Sequence, residues 1–386
     1  MKICYLVDAA SVHVHRWVKY FVDKGYAVHL ISLRPFRSNS EDANLSNLDV
    51  HQVKWTVPYI KKVSYVVNLF SVFVQVKTLL RKIKPDILHA HYVTDYGLIG
   101  ALTNFHPFVV SVWGSDVLIA PKKSRISRYE ASYTLKKADC ITTTAKFMKG
   151  YLVKTFGLPQ NKIVRIPWGI DLKLFHRGYE KEVRALKKAL RMKADASVVL
   201  SNRHMDPKYE IESIIDAIPH VLKSNPDATF IFIRGSGSSE FENKMKLKAE
   251  KLEVTDNIRF ISKLITPREM AIYLNMADVF VSIPKTDQFG GSVMEGMACG
   301  RIPIVSNIRA YYQYLKDKVN AFFVDPESPR EIAEKIKYCI EHPEIKDCFY
   351  AINRKTIEKK EDWNKNARKM EELYKNLLDT HAEFVE

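Results

Sequence analysis

Two pairs of charged residues have the types and spacing most suited to chemistry in this sequence. Arg203 and Lys208 flank one predicted strand-to-helix junction, and Asp287 and Glu295 flank another. An arginine offers a fork of donors and a lysine a point charge, a combination suited to a diphosphate. Two carboxylates spaced like Asp287 and Glu295 can enter one pocket from opposite sides of a loop. The alternative for this second pair is an ordinary connection with two solvated acids.

Glycines stand in the loops beside these residues. Gly290 and Gly291 precede a predicted helix, so the backbone can approach a ligand where free helical N–H groups favour an anion. Gly235 and Gly237 could bring a third backbone segment to the same ligand, or could form a plain turn. No Asp-x-Asp pattern occurs, so positive side chains and helix N-termini would replace a metal carrier for the diphosphate. We therefore expect no cofactor and no metal.

Polar and aromatic residues also follow the predicted strands in the first half of the chain. Asp116 and His91 come near strand ends, where open α/β sheets bind ligands, and both are candidate catalytic groups, as is Asp287 in the second half. His13, Arg16 and Trp113 are candidates for contact with a second substrate on this side. A lone His or Asp at a strand end often has a structural role instead, and Arg16 would then anchor the first helix.

Size and composition limit the class of protein. The 386 residues exceed one ordinary core and predict two domains. No run reaches the roughly 20 apolar residues that span a bilayer, and no signal-peptide pattern opens the sequence. The five cysteines lack the paired spacing of a disulfide framework or a zinc site. We expect a soluble protein of the cytoplasm.

The net charge of +16 is concentrated in the first half. Residues 1–175 hold 25 Lys and Arg against 11 Asp and Glu, whereas the remainder is nearly neutral. This asymmetry favours an anionic partner, such as a phospholipid surface or a phosphorylated substrate, with a solvated lysine-rich surface as the alternative. A nucleic-acid partner is not expected, because no known nucleic-acid module is present.

Two segments of the first half could contact a membrane. Residues 61–82 predict a largely buried helix, although its apolar face could instead enter a membrane interface. The basic cluster from Lys122 to Arg128 could bind anionic headgroups or the diphosphate of a lipid-linked acceptor. We therefore predict peripheral contact with the inner face of the cell membrane.

Predicted strands and helices alternate along the chain, which favours parallel sheets with helices on both faces. The expected fold class is α/β, with two doubly wound Rossmann-like domains facing a cleft. Residues 1–175 would form the first domain, completed by a helix at about 364–386, and residues 176–363 the second. The predicted strands are 2–7, 27–33, 85–91, 108–113, 141–144 and 163–166 in the first domain, and 197–201, 229–233, 258–261, 279–283, 302–305 and 321–324 in the second.

Several motifs carry a family resemblance. One set consists of Arg203-x4-Lys208 and, later in the chain, Asp287-x7-Glu295 with Phe289-Gly290 inside it. The segments 166–175 (Ile-Pro-Trp-Gly-Ile-Asp-x3-Phe) and 297–305 (Met-Ala-Cys-Gly-Arg-Ile-Pro-Ile-Val) form another. The first set resembles the nucleotide-sugar site of the retaining glycosyltransferases of family 4, which have the GT-B fold. Segment 166–175 resembles the interdomain segment of that family, and segment 297–305 resembles its helix-to-strand return. The resemblance covers nearly the whole chain.

The resemblance implies a role for each site residue. Arg203 and Lys208 would hold the donor diphosphate and stabilise the leaving nucleotide, and Glu295 would bind the ribose hydroxyls. Asp287 and the backbone of residues 289–292 would meet the sugar and the phosphates, while the N-terminal domain would bind the acceptor. The implied donor-binding set is Arg203, Lys208, Gly235, Phe289, Gly290, Gly291, Ser292 and Glu295.

The implied reaction transfers a glycosyl group from a nucleotide-diphosphate sugar to a lipid-linked or other cell-surface glycan, with retention of configuration. The sequence departs from the usual family pattern in three places. Asp287 stands where Glu is usual, residues 8–13 replace a Gly-rich loop, and Trp113 replaces a His. The first two departures motivate a second hypothesis, a non-catalytic GT-B scaffold that binds lipid or a partner enzyme. A nucleotide-sugar epimerase is a third, because the same fold hosts that chemistry.

Overall fold

The structure is a computed structural model that describes residues 1–35, 46–57, 62–193, 195–235 and 237–385. For Val12, His13, Lys62, Val63 and residues 382–385 it describes the backbone alone. The chain forms two compact units. The first unit comprises Met1–Trp168 with Lys365–Glu386, and the second comprises Gly169–Asn364.

The first unit is built on a parallel sheet of seven strands. Its strands are β1 (Lys2–Leu6), β2 (Ala27–Ser32), β3 (Leu48–Gln52), β4 (Ile87–His91), β5 (Phe108–Val112), β6 (Cys140–Thr143) and β7 (Ile163–Arg165). They lie in the order β3-β2-β1-β4-β5-β6-β7. The helices are α1 (Val12–Asp23), α2 (Lys62–Ile83), α3 (Asp95–Thr103), α4 (Ser115–Leu118), α5 (Ala120–Lys123), α6 (Arg125–Lys137) and α7 (Lys146–Phe156). Every residue of β4 and β5 is buried, as expected for central strands covered on both faces.

The second unit repeats this plan with six parallel strands. Its strands are β8 (Val198–Ser201), β9 (Thr229–Ile233), β10 (Ile258–Ile261), β11 (Val279–Ser282), β12 (Ile302–Ser306) and β13 (Phe322–Val324). They lie in the order β10-β9-β8-β11-β12-β13. The helices are α8 (Glu180–Ala189), α9 (Ile211–Leu222), α10 (Ser239–Lys251), α11 (Pro267–Met276), α12 (Gly291–Ala298), α13 (Pro329–Glu341) and α14 (Ile345–Lys360). The predicted α/β class with two doubly wound domains is confirmed.

The last helix, α15 (Trp363–Val385), returns to the first unit, as predicted. Tyr20 and Tyr26 donate hydrogen bonds to the Glu371 carboxylate at 2.8 and 2.7 Å. One turn further along, the buried Tyr374 hydroxyl bonds to Nδ1 of His89 in the sheet. Buried polar groups need such partners, so these contacts fix the helix against the sheet of the first unit.

Two elements were missing from the sequence prediction. Strand β3 lies at the edge of its sheet and is mostly solvent-exposed, so its sequence, Leu-Asp-Val-His-Gln, lacks a buried apolar run. Helix α14 is rich in charge and buries only Phe349, Asn353 and Ile357. Their spacing of four residues marks a single narrow stripe, which is a weak sequence signal.

The prediction of a largely buried helix over residues 61–82 is wrong for one face of α2. The helix buries Val72, Val76 and Leu80 in the core, but Val66 and Phe70 are exposed. None of the helices within the described ranges combines the length and the hydropathy needed to cross a membrane.

Candidate functional site

The candidate site of the second unit lies where the order of strands in its sheet reverses, between β8 and β11. In open parallel sheets, ligands bind beyond the carboxyl ends of the strands at such a reversal. Strand β8 ends at Ser201 and leads to Arg203, while β11 ends at Ser282 and leads through Asp287 to the start of α12. The fold therefore brings the Arg203 loop and the Asp287 loop together.

A buried ion pair joins these two loops. Nη2 of Arg203 lies 3.1 Å from Oδ2 of Asp287, and the two side chains are only 8% and 14% exposed. Nη1 of Arg203 donates a hydrogen bond to Oγ of Ser292 at 2.6 Å. Burial acts to lower the pKa of Arg203, but the Asp287 carboxylate and nearby tyrosines outweigh it and raise that pKa. Arg203 therefore stays charged, with both ends of its guanidinium oriented by the facing loop.

Tyr311 completes the surroundings of Asp287 and was not identified from the sequence. Its fully buried hydroxyl donates to Oδ2 of Asp287 at 3.1 Å. Burial and the Asp287 carboxylate raise the pKa of Tyr311, so the hydroxyl remains a donor. The backbone N–H groups of Gln288 and Gly290 donate to the same carboxylate at 2.7 and 3.3 Å. Tyr311 lies in a short helical turn after β12, and no residue spacing in the sequence links it to Asp287.

Arg203 and Lys208 are predicted as a pair, and they differ in how far their side chains are exposed to solvent. The guanidinium carbon of Arg203 lies 4.2 Å from the centroid of the Tyr209 ring, and Nζ of Lys208 lies 4.8 Å from it. Both cations thus lie within range of one aromatic ring. Lys208 is 55% exposed, and its Nζ is 3.9 Å from Oδ2 of Asp206. Arg203 is held in place, whereas Lys208 stands at the surface, where it can reach an anion.

The loop before α12 packs closely on its neighbours through Phe289 and Gly290. Phe289 has a φ of 80°, a left-handed conformation that few residues other than glycine adopt. Its ring is buried against Tyr311 and Tyr314, with centroid distances of 5.8 and 4.9 Å. A Cβ on Gly290 would lie 2.3 Å from Nη1 of Arg203. The close fit of this loop therefore depends on a glycine at 290, and Phe289 contributes an apolar anchor.

Helix α12 carries Ser292, which contacts Arg203, and Glu295. A Cβ on Gly296 would lie 2.4 Å from the Phe280 ring, so α12 packs directly on β11. Nδ2 of Asn202 donates to the Ser292 carbonyl at 3.2 Å, which ties the helix start to the end of β8. Glu295 follows one turn into the helix and is half-buried.

The loop after β9 packs on the Arg203 loop. Gly235 has a φ of +57°, and a Cβ there would lie 2.2 Å from Nδ1 of His204. The Met205 N–H donates to the Arg234 carbonyl at 3.2 Å. Gly235 thus fits a position that needs both a left-handed backbone and a close approach.

The first unit brings some of its candidate residues together. His91, at the end of β4, is buried, and its ring centroid lies 5.9 Å from that of Trp113, which follows β5. The Trp113 ring lies 5.0 Å from that of Trp168. Arg16 lies in α1 and is half-buried, and the side chain of His13 lies outside the described part of the structure. An aromatic cluster therefore marks the carboxyl end of this sheet.

Asp116 has surroundings that favour a structural role over the predicted catalytic one. Its side chain is fully buried. One carboxylate oxygen accepts hydrogen bonds from the N–H groups of Gly114 and Trp113 at 2.7 and 3.1 Å, and the other from those of Val93 and Trp113 at 2.9 and 3.1 Å. Burial raises the pKa of Asp116 to about 6, against the effect of these donors, so the carboxylate is ionised at slightly alkaline pH.

We expect Asp116→Asn to lower the free energy of unfolding by roughly 2–4 kcal/mol at pH 8, because the amide would turn an N–H toward backbone N–H groups in either orientation. Urea unfolding measures this, with the exposed Asp379→Asn as control. Activity per folded molecule should change less than about threefold, a small effect on the barrier. Unchanged stability with a collapse of kcat would instead favour the catalytic role.

The arrangement in the second unit is suited to binding an anion. A fixed arginine, an exposed lysine and the N-terminus of α12 all belong to the loops at the strand reversal. Within the described ranges, no group of three or more His, Cys, Asp or Glu side chains is placed to hold a metal ion.

Comparisons with known families match both halves of the chain. Residues 2–145 match the family model for glycosyl transferase 4-like domains. Residues 182–370 match the model for glycosyl transferases group 1, which includes the Arg203 and Asp287 loops. Together the two models account for most of both units.

Individual relatives agree with these matches. An uncharacterised glycosyltransferase of Methanocaldococcus jannaschii is 25% identical, over 97% of this chain and 96% of its own. The alpha-monoglucosyldiacylglycerol synthase of Acholeplasma laidlawii is 23% identical over 78% of this chain and 77% of its own. The crystal structure of Anabaena HepE in complex with UDP-glucose superposes with a TM-score of 0.80 at 15% identity, covering 97% of this chain and 100% of that one.

Proposed function

Since this chain belongs to the group 1 glycosyltransferases and has the GT-B fold, we propose that it transfers a sugar from a nucleotide-diphosphate sugar to a lipid-linked or other cell-surface glycan. Transfer would retain the anomeric configuration and need no metal ion. The enzyme would act in the cytoplasm, at the inner face of the membrane. The match to the group 1 glycosyltransferases argues against the epimerase hypothesis, and the transfer assay described below tests the scaffold hypothesis.

The observation that carries the proposal is the Arg203 loop and the Asp287 loop meeting at the strand reversal. Arg203 and Lys208 supply two positive charges of different mobility, which suits a diphosphate whose charge grows as the sugar departs. The Anabaena neighbour was crystallised with UDP-glucose, and the Acholeplasma relative is an alpha-monoglucosyldiacylglycerol synthase. These relatives support a nucleotide-sugar donor and a lipid acceptor.

For Asp287 we propose a positioning role rather than contact with the reacting sugar. Its carboxylate already accepts hydrogen bonds from Arg203, Tyr311 and two backbone N–H groups. Aspartate is one methylene shorter than the glutamate usual at this place in the family. Its short reach suits the arginine beside it. Asp287 and Tyr311 would then orient Arg203 toward the donor phosphates.

The proposal predicts different losses for Lys208→Ala and Glu295→Ala. We expect Lys208→Ala to lower kcat/KM about 30-fold, because an exposed charge on the diphosphate is lost. Glu295→Ala should mainly raise the donor KM, since contacts to the ribose stabilise the ground state and the transition state equally. A thermal-shift screen of UDP- and GDP-sugars identifies the donor first, and transfer to acceptor lipid is then measured with and without EDTA.

Lys223→Ala is the matched control, because Lys223 is an exposed lysine at the end of α9. Complete loss of transfer in EDTA would contradict metal independence. Full turnover in both Lys208→Ala and Glu295→Ala would refute the site. Conversion of the donor without any acceptor would favour an epimerase, and binding of a nucleotide without any product would favour a scaffold.

A further inference from the structure

Helix α2 exposes a continuous apolar stripe. Its members follow each other at helical spacing and are between 44% and 66% exposed: Val66, Val67, Phe70 and Val74. The opposite side of the helix carries a second apolar set that packs into the core of the first unit. Large apolar side chains exposed at contiguous positions mark interaction surfaces, unlike apolar residues scattered singly.

The polar residues of α2 explain why apolar ones face outward. Oδ1 of Asn68 accepts hydrogen bonds from the N–H groups of Thr56 and Val57 at 2.9 and 3.0 Å, and Nδ2 donates to the Val57 carbonyl at 2.9 Å. Gln75 makes the same pair of bonds to the backbone of Lys54, at 3.1 and 2.9 Å. These two amide side chains are thus committed to the segment before the helix. This orientation leaves the stripe of valines and phenylalanine in solvent.

Helix α6 is hydrogen-bonded to α2 through the residue that precedes this stripe. The Tyr65 hydroxyl of α2 donates to Oε1 of Glu130 in α6 at 3.1 Å. Next to Glu130, Tyr129 is 72% exposed, and Ile126, one turn earlier, is 62% exposed. The hydrogen bond therefore joins two helices that each expose large apolar side chains beside the contact.

The charge of these two segments is predominantly basic. Helix α2 contains no Asp or Glu, and residues 120–137 contain only Glu130, which is engaged by Tyr65. Four exposed basic residues precede or flank the apolar side chains of α6: Lys122, Lys123, Arg125 and Arg128. Apolar residues beside predominantly basic ones match the chemistry of an anionic lipid interface.

We propose that this surface binds the headgroup region of an anionic lipid bilayer. We call it the α2–α6 face and define it by Val66, Val67, Phe70, Val74, Ile126 and Tyr129 with the basic residues 122, 123, 125 and 128. The proposal deepens the proposed function by assigning membrane contact to particular residues. Only its biological purpose, access to a lipid-linked acceptor, rests on that proposed function. The apolar side chains enter the acyl boundary, and the basic ones hold phosphate headgroups.

Charge favours a bilayer over a second copy of this chain. In a twofold dimer the same surface lies on both sides of the interface, so the basic residues of one α2–α6 face would meet those of the other. Their mutual repulsion disfavours that pairing. An anionic bilayer instead neutralises every basic residue of the face at once.

Flotation of the full chain with vesicles tests the proposal without any nucleotide sugar. We expect binding to vesicles of equal parts phosphatidylcholine and phosphatidylglycerol, and little binding to phosphatidylcholine alone. The double variant Arg125→Glu with Arg128→Glu should bind at least about 20-fold more weakly, because each basic residue near an acidic surface contributes roughly fivefold. Both changes place glutamate in the first turn of α6, which favours the helix.

The apolar half of the face is tested by Val66→Gln with Phe70→Gln, which should weaken binding about tenfold or more through lost apolar burial. Matched controls lie in the second unit. Lys251→Glu with Lys355→Glu changes exposed helical lysines, and Leu247→Gln with Ile352→Gln changes exposed helical apolar residues. Both control pairs should bind vesicles as the unchanged protein does.

Equal binding to both kinds of vesicle, or unchanged binding by both test variants, would overturn the proposal. A dimer in light scattering that disappears in Val66→Gln with Phe70→Gln would assign the face to a second copy instead. Glu295→Ala separates this proposal from the proposed function, because it should keep full vesicle binding while losing donor affinity. Vesicle binding by a protein that transfers no sugar would refute the proposed function but would still support membrane binding by the α2–α6 face.

Discussion

Arg203→Met is expected to lower kcat/KM for sugar transfer about 1,000-fold or more, since it removes a preorganised charge whose own side chain is largely buried. The guanidinium is held by Asp287, Ser292 and the Tyr209 ring. Methionine fills much of the same volume but supplies no donor. Arg203→Lys keeps the positive charge but loses the forked guanidinium. Its kcat/KM should therefore lie between that of the unchanged protein and that of Arg203→Met. Initial rates at varied donor concentration measure both variants.

A double-variant cycle separates lost catalysis from lost folding in this experiment. Arg203→Met leaves the Asp287 carboxylate without its cation, which should also lower the free energy of unfolding by roughly 3–5 kcal/mol. Adding Asp287→Asn removes the uncompensated charge and should restore much of that stability. Activity should stay low in the double variant, because the phosphates still lack Arg203. Recovery of activity together with stability would contradict a direct role for the arginine.

The sequence predicted the architecture well because buried parallel strands leave a strong pattern. Runs such as Phe108–Val112 and Thr229–Ile233 are apolar on both faces, and their alternation with helices leaves little choice but a doubly wound sheet. Strand β3 left no such pattern, because an edge strand exposed to solvent needs no apolar run. Elements that bury little apolar surface are therefore the hardest to predict from a sequence.

The candidate site was partly predictable for a related reason. The sequence locates the loops of the site because each loop follows a strongly apolar strand; these loops and the helices after them carry Arg203, Lys208, Asp287 and Glu295. Tyr311 could not, because it comes after a later strand and meets Asp287 only through the order of strands in the sheet. Asp116 shows the opposite case. Its position at a strand end suggested chemistry, but its oxygens are taken up by backbone N–H groups.

Helix α2 shows how a correct helix prediction can still misplace its faces. Apolar residues surround most of its circumference, which in a soluble protein suggests burial. Asn68 and Gln75 reverse that inference, because their amide groups pair with backbone at residues 54–57 rather than with water. Hydropathy patterns alone do not reveal whether a polar side chain faces solvent or a neighbouring backbone.

Gly290→Ala should lower kcat/KM about 100-fold with little change in folding, and Gly291→Ala should change it less than about threefold. Gly290 has φ −64° and ψ 148°, which alanine adopts without strain. Its added Cβ would lie 2.3 Å from Nη1 of Arg203 and 2.9 Å from Oδ2 of Asp287. At Gly291 the nearest atom, Oε1 of Glu295, would be 3.9 Å away, an ordinary contact.

The two glycine variants therefore test whether the position of Arg203 limits activity. In Gly290→Ala the guanidinium must move, and its bonds to Asp287 and Ser292 lengthen together because one group makes both. Misplacing a charge by about 1 Å is sufficient for a loss of this size. Equal losses at both glycines would mean that they are needed for close approach of the donor itself. Full activity in Gly290→Ala would show that Arg203 does not need its present position, and would count against the proposed roles of Asp287 and Tyr311 as its supports.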